Sequence, residues 1–280
     1  MIYEHEIPQG SKLYFGKSAA LKRDIETYAA TLLAQEEFEE IVTPFFSYHQ
    51  HQQISERSLL RFSDEANRLV SLRADSTLDV VRLISRRLGR STSHKRWFYV
   101  QPVFRYPSFE FYQIGGELIA QTDLSQSVRI VSGILKHFNC KAYLQISHIA
   151  IPKIISSMLD IPLEVLKAGH LEALLSHSEP WLSALVTLQS PKELDGVIKV
   201  VPAPLKRPLE EMKKLILDCG HSNIVMAPLF YANMRYYDTL FFRFVAENKT
   251  ISSGGLYAFE GQNSSGFGIY TDALIETLMQ

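Results

Sequence analysis

Three residue types able to hold a small polar ligand occur at alternate positions of the segment FYQIGGE, residues 111–117. The segment has the composition of a β-strand, and side chains two apart on a strand share one face. Gln113, Gly115 and Glu117 would therefore place an amide, a bare backbone and a carboxylate side by side. Arg105, at the end of the preceding predicted strand, could add a cation. The pattern predicts the floor of a small-ligand pocket, with room over Gly115 for a ring.

A second candidate is the glycine-rich segment GFGIYTDALIETL (266–278), in which a predicted strand leads into a helix. Backbone N–H groups at such a junction can receive a phosphate. The turn contains Asp272 and Ala273 rather than a cation, and a lone carboxylate there would repel phosphate. The pattern therefore favours a glycine-rich bend that closes a sheet.

Three further features are better explained by structure than by chemistry. Segment 82–96 contains five arginines at the end of a predicted helix, which is typical of a solvated face, with a phosphate or an acidic partner surface as the alternative. His49 and His51 resemble metal ligands, but no third ligand is evident, so a polar loop is favoured. Tyr237 and Tyr257 are expected to be core tyrosines with satisfied hydroxyl groups.

The composition places limits on the class of protein. The chain has 280 residues, 46% hydrophobic and 21% charged content, and a net charge of −1. These values are ordinary for a globular protein and exclude a global basic field that would hold nucleic acid. Cys140 and Cys219 lack metal-ligand spacing and suit a reducing compartment. With no signal-peptide pattern and no apolar run of ~18 residues, we expect a cytoplasmic globular protein without a membrane span, metal or other cofactor.

The elements that must position these residues can be predicted from hydrophobic periodicity and capping residues. Predicted helices cover 18–35, 77–88 after a cap at Asp75 or Ser76, 123–138 after a cap at Asp123 or Ser125, and a last helix from Thr271 or Asp272. Predicted strands cover 38–46, 67–75, 96–106, 111–121, 141–149, 223–231, 235–247, 251–259 and 266–271. Short helices broken by prolines predominate between them, over 151–220. We therefore predict an α+β core, residues 1–150 and 221–280, with a helical insertion at 151–220.

Taken in order, these segments resemble the catalytic core of class II aminoacyl-tRNA synthetases, and specifically of histidyl-tRNA synthetases. The dimer-forming first motif resembles FEEIVTPFF (38–46), and the "LRPEGT" segment resembles LRADSTLDVVRLISRRL (72–88). The second motif resembles WFYVQPVFRY and FYQIGGELIA (97–106 and 111–120). Two histidine-specific motifs resemble YANMRYYDTLFFRF and SSGGLYAFEG (231–244 and 252–261), and the third motif resembles GFGIYTDAL (266–274). The resemblance covers residues 1–150 and 222–280. It implies an antiparallel sheet flanked by helices.

The resemblance also implies a site for histidine made of seven residues. These are Asp75, Thr77, Arg105, Gln113, Glu117, Tyr237 and Tyr257. The chemistry agrees, because carboxylates and an amide suit an α-ammonium group and an imidazole N–H, and a guanidinium suits a carboxylate.

The departures from the family pattern concern catalysis. Forming an aminoacyl-adenylate requires positive charge at the transition state, yet the third-motif arginine falls on Ala273 and the histidine-specific arginine falls on Ala232. Arg235 is three residues further along a predicted strand and is expected to face the other way. The second-motif loop is also short, because only eight positions (113 − 105) separate Arg105 from Gln113. We therefore predict an amino-acid pocket with no catalytic residues.

A histidyl-tRNA synthetase core that lacks adenylation residues, with no anticodon-binding domain after the third motif, resembles the regulatory subunits of ATP phosphoribosyltransferase. The resemblance implies a non-catalytic protein that joins a short catalytic subunit in the first step of histidine biosynthesis. It also implies a homodimer within a hetero-oligomer, with free histidine as an effector and without tRNA. Two alternatives stay open: an amino-acid-adenylating ligase of the class II type, and a free-standing histidine sensor.

Overall fold

The computed structural model describes residues 6–48, 54–170, 172–175, 177–232 and 237–280. The predicted polar loop with His49 and His51 lies outside the described residues, as does Arg235.

The described residues form both predicted kinds of secondary structure. The helices are α1 (Gly16–Gln35), α2 (Ser76–Arg86), α3 (Leu124–His137), α4 (Ala150–Leu159), α5 (Leu163–Lys167), α6 (Glu172–Leu175), α7 (Pro180–Val186), α8 (Leu194–Val200), α9 (Ala203–Asp218) and α10 (Thr271–Leu278). The strands are β1 (Glu39–Glu40), β2 (Phe46–Ser47), β3 (Arg61–Ser63), β4 (Leu69–Leu72), β5 (Arg96–Arg105), β6 (Phe109–Leu118), β7 (Tyr143–His148), β8 (Ile224–Met226), β9 (Tyr237–Ala246), β10 (Lys249–Phe259) and β11 (Gln262–Tyr270). No helix in the described ranges is long and apolar enough to cross a membrane.

The chain divides into two compact units, unit 1 (Met1–Ile119 and Gly268–Gln280) and unit 2 (Ala120–Phe267). In unit 1 the strand order is β1-β5-β6, with β5 and β6 antiparallel and β1 parallel to β5. A small sheet in the order β2-β4-β3 belongs to the same unit. Helices α1, α2 and α10 pack against β5 or β6, so helices flank this antiparallel pair.

In unit 2 the strand order is β11-β10-β9-β7-β8, and β11 continues into unit 1 at Gly268. Strands β9 and β10 are antiparallel, β7 is antiparallel to β9, and the short β8 is parallel to β7. Helix α3 packs against β10, and α9 packs against β7 and β9. The predicted fold class, α+β with an antiparallel sheet flanked by helices, is confirmed.

Two of the predicted helix starts are confirmed by their caps. The Asp75 carboxylate accepts the N–H of Leu78 at 3.0 Å, and the Asp123 carboxylate accepts the N–H of Ser125 at 3.0 Å. Each carboxylate satisfies a donor that the first helical turn leaves without an intrahelical partner. The described part of 151–220 is helical, as predicted, but the boundaries of the two compact units lie elsewhere, at 119/120 and 267/268. The division into core and insertion therefore stays a prediction.

The predicted strand 38–46 is confirmed only in part: Glu39–Glu40 pair with β5, where the Ile41 N–H also donates to Phe98 at 2.8 Å, and pairing resumes only at Phe46–Ser47. The buried guanidinium of Arg73 explains the interruption: it donates to the carbonyl oxygen and the hydroxyl of Thr43, each at 2.9 Å. The N–H of Thr43 donates to the side chain of Gln101 at 3.3 Å, and Pro44 has no N–H to donate. Side chains thus bind backbone groups that a strand would use.

Candidate functional site

The candidate surface in unit 1 is one face of the β5–β6 pair. In the observed register Gln113 lies opposite Gln101, Gly115 opposite Tyr99, and Glu117 opposite Trp97. Directly opposed residues in an antiparallel pair point to the same side of the sheet. The predicted shared face of Gln113, Gly115 and Glu117 therefore exists, and we call it the β5–β6 face.

The space over Gly115 is filled by Tyr99, so the expectation of room for a ligand ring is wrong in this conformation. A Cβ atom built on Gly115 would lie 2.2 Å from both Cζ and the hydroxyl oxygen of Tyr99. Tyr99 is only 1% exposed, and its hydroxyl oxygen lies 3.2 Å from that of Thr77. Gly115 is required here because the phenol ring crosses its backbone. Sequence reasoning missed Tyr99, although an aromatic residue opposite a strand glycine is a recognisable cross-strand pair.

Glu117 is fully buried, with no exposed surface. Its opposite residue Trp97 and Arg105 are eight positions apart on β5 (105 − 97), which is roughly 26 Å along an extended strand. A direct ion pair between Glu117 and Arg105 is thereby excluded. The Arg105 Nε instead donates to the carbonyl oxygen of Ala74 at 3.4 Å, and its guanidinium lies 5.8 Å from the ring centre of Phe111.

Helix α2 brings two more predicted residues to unit 1. Asp75 is its cap, so one carboxylate oxygen is already committed to the N–H of Leu78. Thr77, in the first turn, contacts Tyr99. The structure therefore links Thr77, Tyr99 and Gly115 directly, and it places Arg105 at the far end of the β5–β6 face from Glu117.

Gln101 is a second residue that sequence reasoning missed. Its side chain is buried, and its Oε1 accepts from the N–H and the hydroxyl of Thr43 at 3.3 and 3.2 Å. Its Nε2 donor has no hydrogen-bond acceptor among the residues that the structure describes. The cross-strand amides Gln101 and Gln113 give the middle of the β5–β6 face a polar character.

The third-motif region of unit 1 contains a carboxylate where phosphate binding would need a cation. Asp272 is buried, accepts from the hydroxyl of Tyr14, and accepts the N–H of Tyr112 at 2.9 Å. Burial raises the pKa of Asp272 above its usual value. Ala273 follows it in α10, and only residues 106–108 connect β5 to β6. The junction of β11 and α10 therefore holds a carboxylate that is bound by two donors, which disfavours a phosphate there.

Unit 2 contains the two predicted tyrosines. Tyr237 and Tyr257 are both buried and lie directly opposite each other on β9 and β10. A Cβ atom on Gly255 would lie 2.7 Å from the Tyr237 ring, so a glycine again makes space for an aromatic side chain. Ala232, the position of the missing histidine-specific arginine, is buried in the same unit. In the described ranges, no three His, Cys, Asp or Glu side chains are grouped to hold a metal ion.

Comparison with known proteins agrees with this description. Residues 16–274 match the family described as histidyl-tRNA synthetase. The chain is 44% identical to an ATP phosphoribosyltransferase regulatory subunit of Wolinella succinogenes (100% of this chain, 98% of the relative) and 41% identical to one of Helicobacter hepaticus (100% of both).

Two solved structures show the same fold at low identity. An ATP phosphoribosyltransferase regulatory subunit/histidyl-tRNA synthetase from Bacillus halodurans has a TM-score of 0.84 at 20% identity, covering 99% of this chain and 84% of that chain. A histidyl-tRNA synthetase from a Nostoc species has a TM-score of 0.80 at 16% identity, covering 100% of this chain and 76% of that chain. Because it is 44% and 41% identical to two regulatory subunits over its whole length and has a synthetase-type fold, this chain belongs to the histidyl-tRNA synthetase-like family of ATP phosphoribosyltransferase regulatory subunits.

Proposed function

We propose that this chain is the non-catalytic regulatory subunit of an ATP phosphoribosyltransferase. A short catalytic subunit would condense ATP with phosphoribosyl pyrophosphate, the first step of histidine biosynthesis, and this chain would activate it. The observation that carries the proposal is identity of 44% and 41% with two regulatory subunits over the whole chain. The complex would be a glycosyltransferase, and its catalytic residues would lie on the partner subunit.

The charge distribution supports a non-catalytic role. An adenylation site must stabilise the charge that develops on the α-phosphate, and removing one such donor typically costs ~10²–10³ in rate. Alanines occupy 232 and 273, where the family has arginines, and buried Asp272 precedes the second alanine. The turn at 106–108 is too short to cover a nucleotide.

Exposed apolar side chains in the first-motif region support a homodimer. Val42 is 76% exposed and Phe46 is 61% exposed, and the Phe46 ring contacts that of Phe62 at 5.6 Å between centres. Phe62, on β3 of the same small sheet, is also exposed. Apolar residues clustered on one surface are typical of an interface. We infer that a second copy of the chain covers them within the hetero-oligomer.

We further propose that free histidine binds at the β5–β6 face and acts as a feedback effector. The buried carboxylate of Glu117 is suited to an imidazole N–H, and the amide of Gln113 to an ammonium group. Since Tyr99 fills the space over Gly115, binding requires this ring to move away from Thr77. Asp75 and Thr77 stay predicted contributors in unit 1, whereas Arg105, roughly 26 Å along β5 from the residue opposite Glu117, reaches only the far end of the face. Tyr237 and Tyr257 stay predictions from the sequence, each to be tested by its own variant.

The direct test is reconstitution with the short catalytic subunit from the same genome. Its rate of phosphoribosyl-ATP formation should rise on addition of this chain and saturate at a fixed ratio of subunits. An unchanged rate, with no complex in analytical ultracentrifugation, would contradict the regulatory role and favour a free-standing histidine sensor.

A second assay addresses the ligase alternative. The purified chain should show no ATP–pyrophosphate exchange above background with histidine or any other amino acid. Exchange that one amino acid stimulates and that Arg105→Ala abolishes would establish an adenylating enzyme instead.

A further inference from the structure

Unit 2 contains a groove with a volume of about 680 Å³. Of its lining residues, only Tyr257 belongs to the predicted histidine site. Its walls are one face of α9, the first turn of α3, the start of β9 and the last residues of β10. A volume of this size lies within the range of ~300–1,000 Å³ that is usual for ligand sites. Every lining residue belongs to unit 2.

The α9 wall is a single stripe of alternating charge. Arg207, Glu211, Lys214 and Asp218 follow one another at spacings of four, three and four, which places them on one side of the helix. The first two are already paired, because the Arg207 Nε donates to Glu211 at 2.9 Å. The second oxygen of Glu211 accepts from His148 at 2.9 Å, so this carboxylate is fully engaged.

Carboxylates outnumber cations in the groove. Its acidic residues are Asp123, Glu211, Asp218 and Asp238, and its basic residues are Arg207 and Lys214, an excess of two negative charges (4 − 2). Asp218 and Asp238 are exposed, and no cation lies within ion-pair distance of either carboxylate in the described part of the chain. Lys214 lies one helical turn before Asp218, and Arg129 donates to the backbone carbonyl oxygen of Asp218 at 2.7 Å, but neither makes an ion pair with its carboxylate.

The floor of the groove is apolar. Leu124, Leu215 and Leu240 are buried beneath its polar rim, and the buried ring of Tyr257 lies beside them. An aliphatic floor under exposed carboxylates matches an arginine or lysine side chain, whose stem packs on apolar surface while its charged head binds a carboxylate. A small anion such as phosphate would be repelled by the excess negative charge of this groove.

We propose that this groove docks a lysine- or arginine-bearing segment of the catalytic partner, an inference that rests on the proposed regulatory function. Charge complementarity selects this occupant, because among the described residues no cation lies within ion-pair distance of the Asp218 or Asp238 carboxylate, and a partner side chain would supply one to each. Complementary charges across an interface raise the rate of association and make the affinity depend on salt.

The test compares two full-length variants that lose the same number of charges. Asp218→Asn/Asp238→Asn neutralises the groove, and Glu210→Gln/Asp24→Asn neutralises exposed carboxylates on α9 and α1 that do not line it. Each variant is titrated into the short catalytic subunit, and activation and complex formation are measured at low and high salt. The groove variant should bind roughly tenfold more weakly than the control and show a smaller dependence on salt.

The outcomes separate this inference from the proposed function. If the wild-type chain neither binds nor activates the catalytic subunit, the regulatory function and the docking site both fail. If wild type, control and groove variant activate equally, the regulatory function stands and the docking site is refuted. Calorimetry with spermidine gives a third outcome: binding to wild type that the groove variant loses, with partner affinity unchanged, would assign the groove to a small amine and overturn the docking proposal.

Discussion

Gly115→Ala should destabilise the protein because the new methyl group collides with the Tyr99 ring, and not because of backbone strain. The new Cβ would lie 2.2 Å from Cζ and the hydroxyl oxygen of Tyr99, about 1.3 Å short of a ~3.5 Å carbon contact. Because Tyr99 is 1% exposed, its ring can move only by disturbing packed neighbours. Overpacking typically costs ~1–3 kcal/mol, and loss of the 3.2 Å contact with Thr77 adds ~0.5–1.5 kcal/mol.

The expected total is ~2–4 kcal/mol, which corresponds to a fall in Tm of roughly 5–10 °C for a chain of this size. Thermal and urea unfolding, followed by circular dichroism, would measure it. Gly268→Ala is the matched control, because a Cβ on this β11 glycine meets no heavy atom within 4 Å. We expect that control to lie within about 0.5 kcal/mol of wild type.

A double-mutant cycle identifies the cause. Tyr99→Leu lacks the ring atoms that collide with the new methyl group, so Gly115→Ala should cost almost nothing in that background. The coupling energy should be about 2 kcal/mol. The reasoning is refuted if Gly115→Ala is as stable as Gly268→Ala, or if its cost persists in the Tyr99→Leu background.

Three further predictions concern binding, packing and pH. Glu117→Gln should weaken histidine binding roughly tenfold in calorimetry, with Gln113→Ala acting in the same direction; affinity indifferent to both would place the effector site elsewhere. Arg73→Lys should cost about 2–4 kcal/mol in urea unfolding, since an ammonium cannot reproduce a fork that binds two carbonyl groups at once; an unchanged midpoint would contradict this. Burial lowers the pKa of His148 below its usual 6.5, so on acidification the unfolded chain takes up this proton before the folded chain does and stability falls below pH 6.5. His148→Gln, which can still donate to Glu211, should therefore flatten the fall in Tm between about pH 7.5 and about pH 5.5, and an identical profile would argue against His148 as a source.

Much of the fold follows from local patterns in the sequence. Asp75 and Asp123 are caps because a short acceptor before an amphipathic run satisfies the free N–H groups of the first turn. The alternation in 111–117 places Gln113 and Glu117 on one face because the side-chain period of a strand is two. The order of segments along the chain is sufficient to indicate the family. These features depend on interactions between residues close in sequence.

Other features depend on contacts between distant segments, and local patterns cannot predict them. Arg73 interrupts the expected strand at 38–46 because its guanidinium, 30 residues further on (73 − 43), binds the backbone of Thr43. Likewise Tyr99 fills the space over Gly115 only because the β5–β6 register places the two opposite each other.

The groove in unit 2 is the clearest case. Asp123, Asp218 and Asp238 lie in three separate segments, and the first two are 95 positions apart (218 − 123). In the sequence each is a single carboxylate at or near the end of a predicted element, and no pattern connects the three. Which of them share a surface is decided by how α3 and α9 pack on the strands, because the potential of a groove is the sum of all the charges that line it. The sequence by itself determined most of the helices and long strands and indicated the family, and the tertiary structure decided which charges and rings meet.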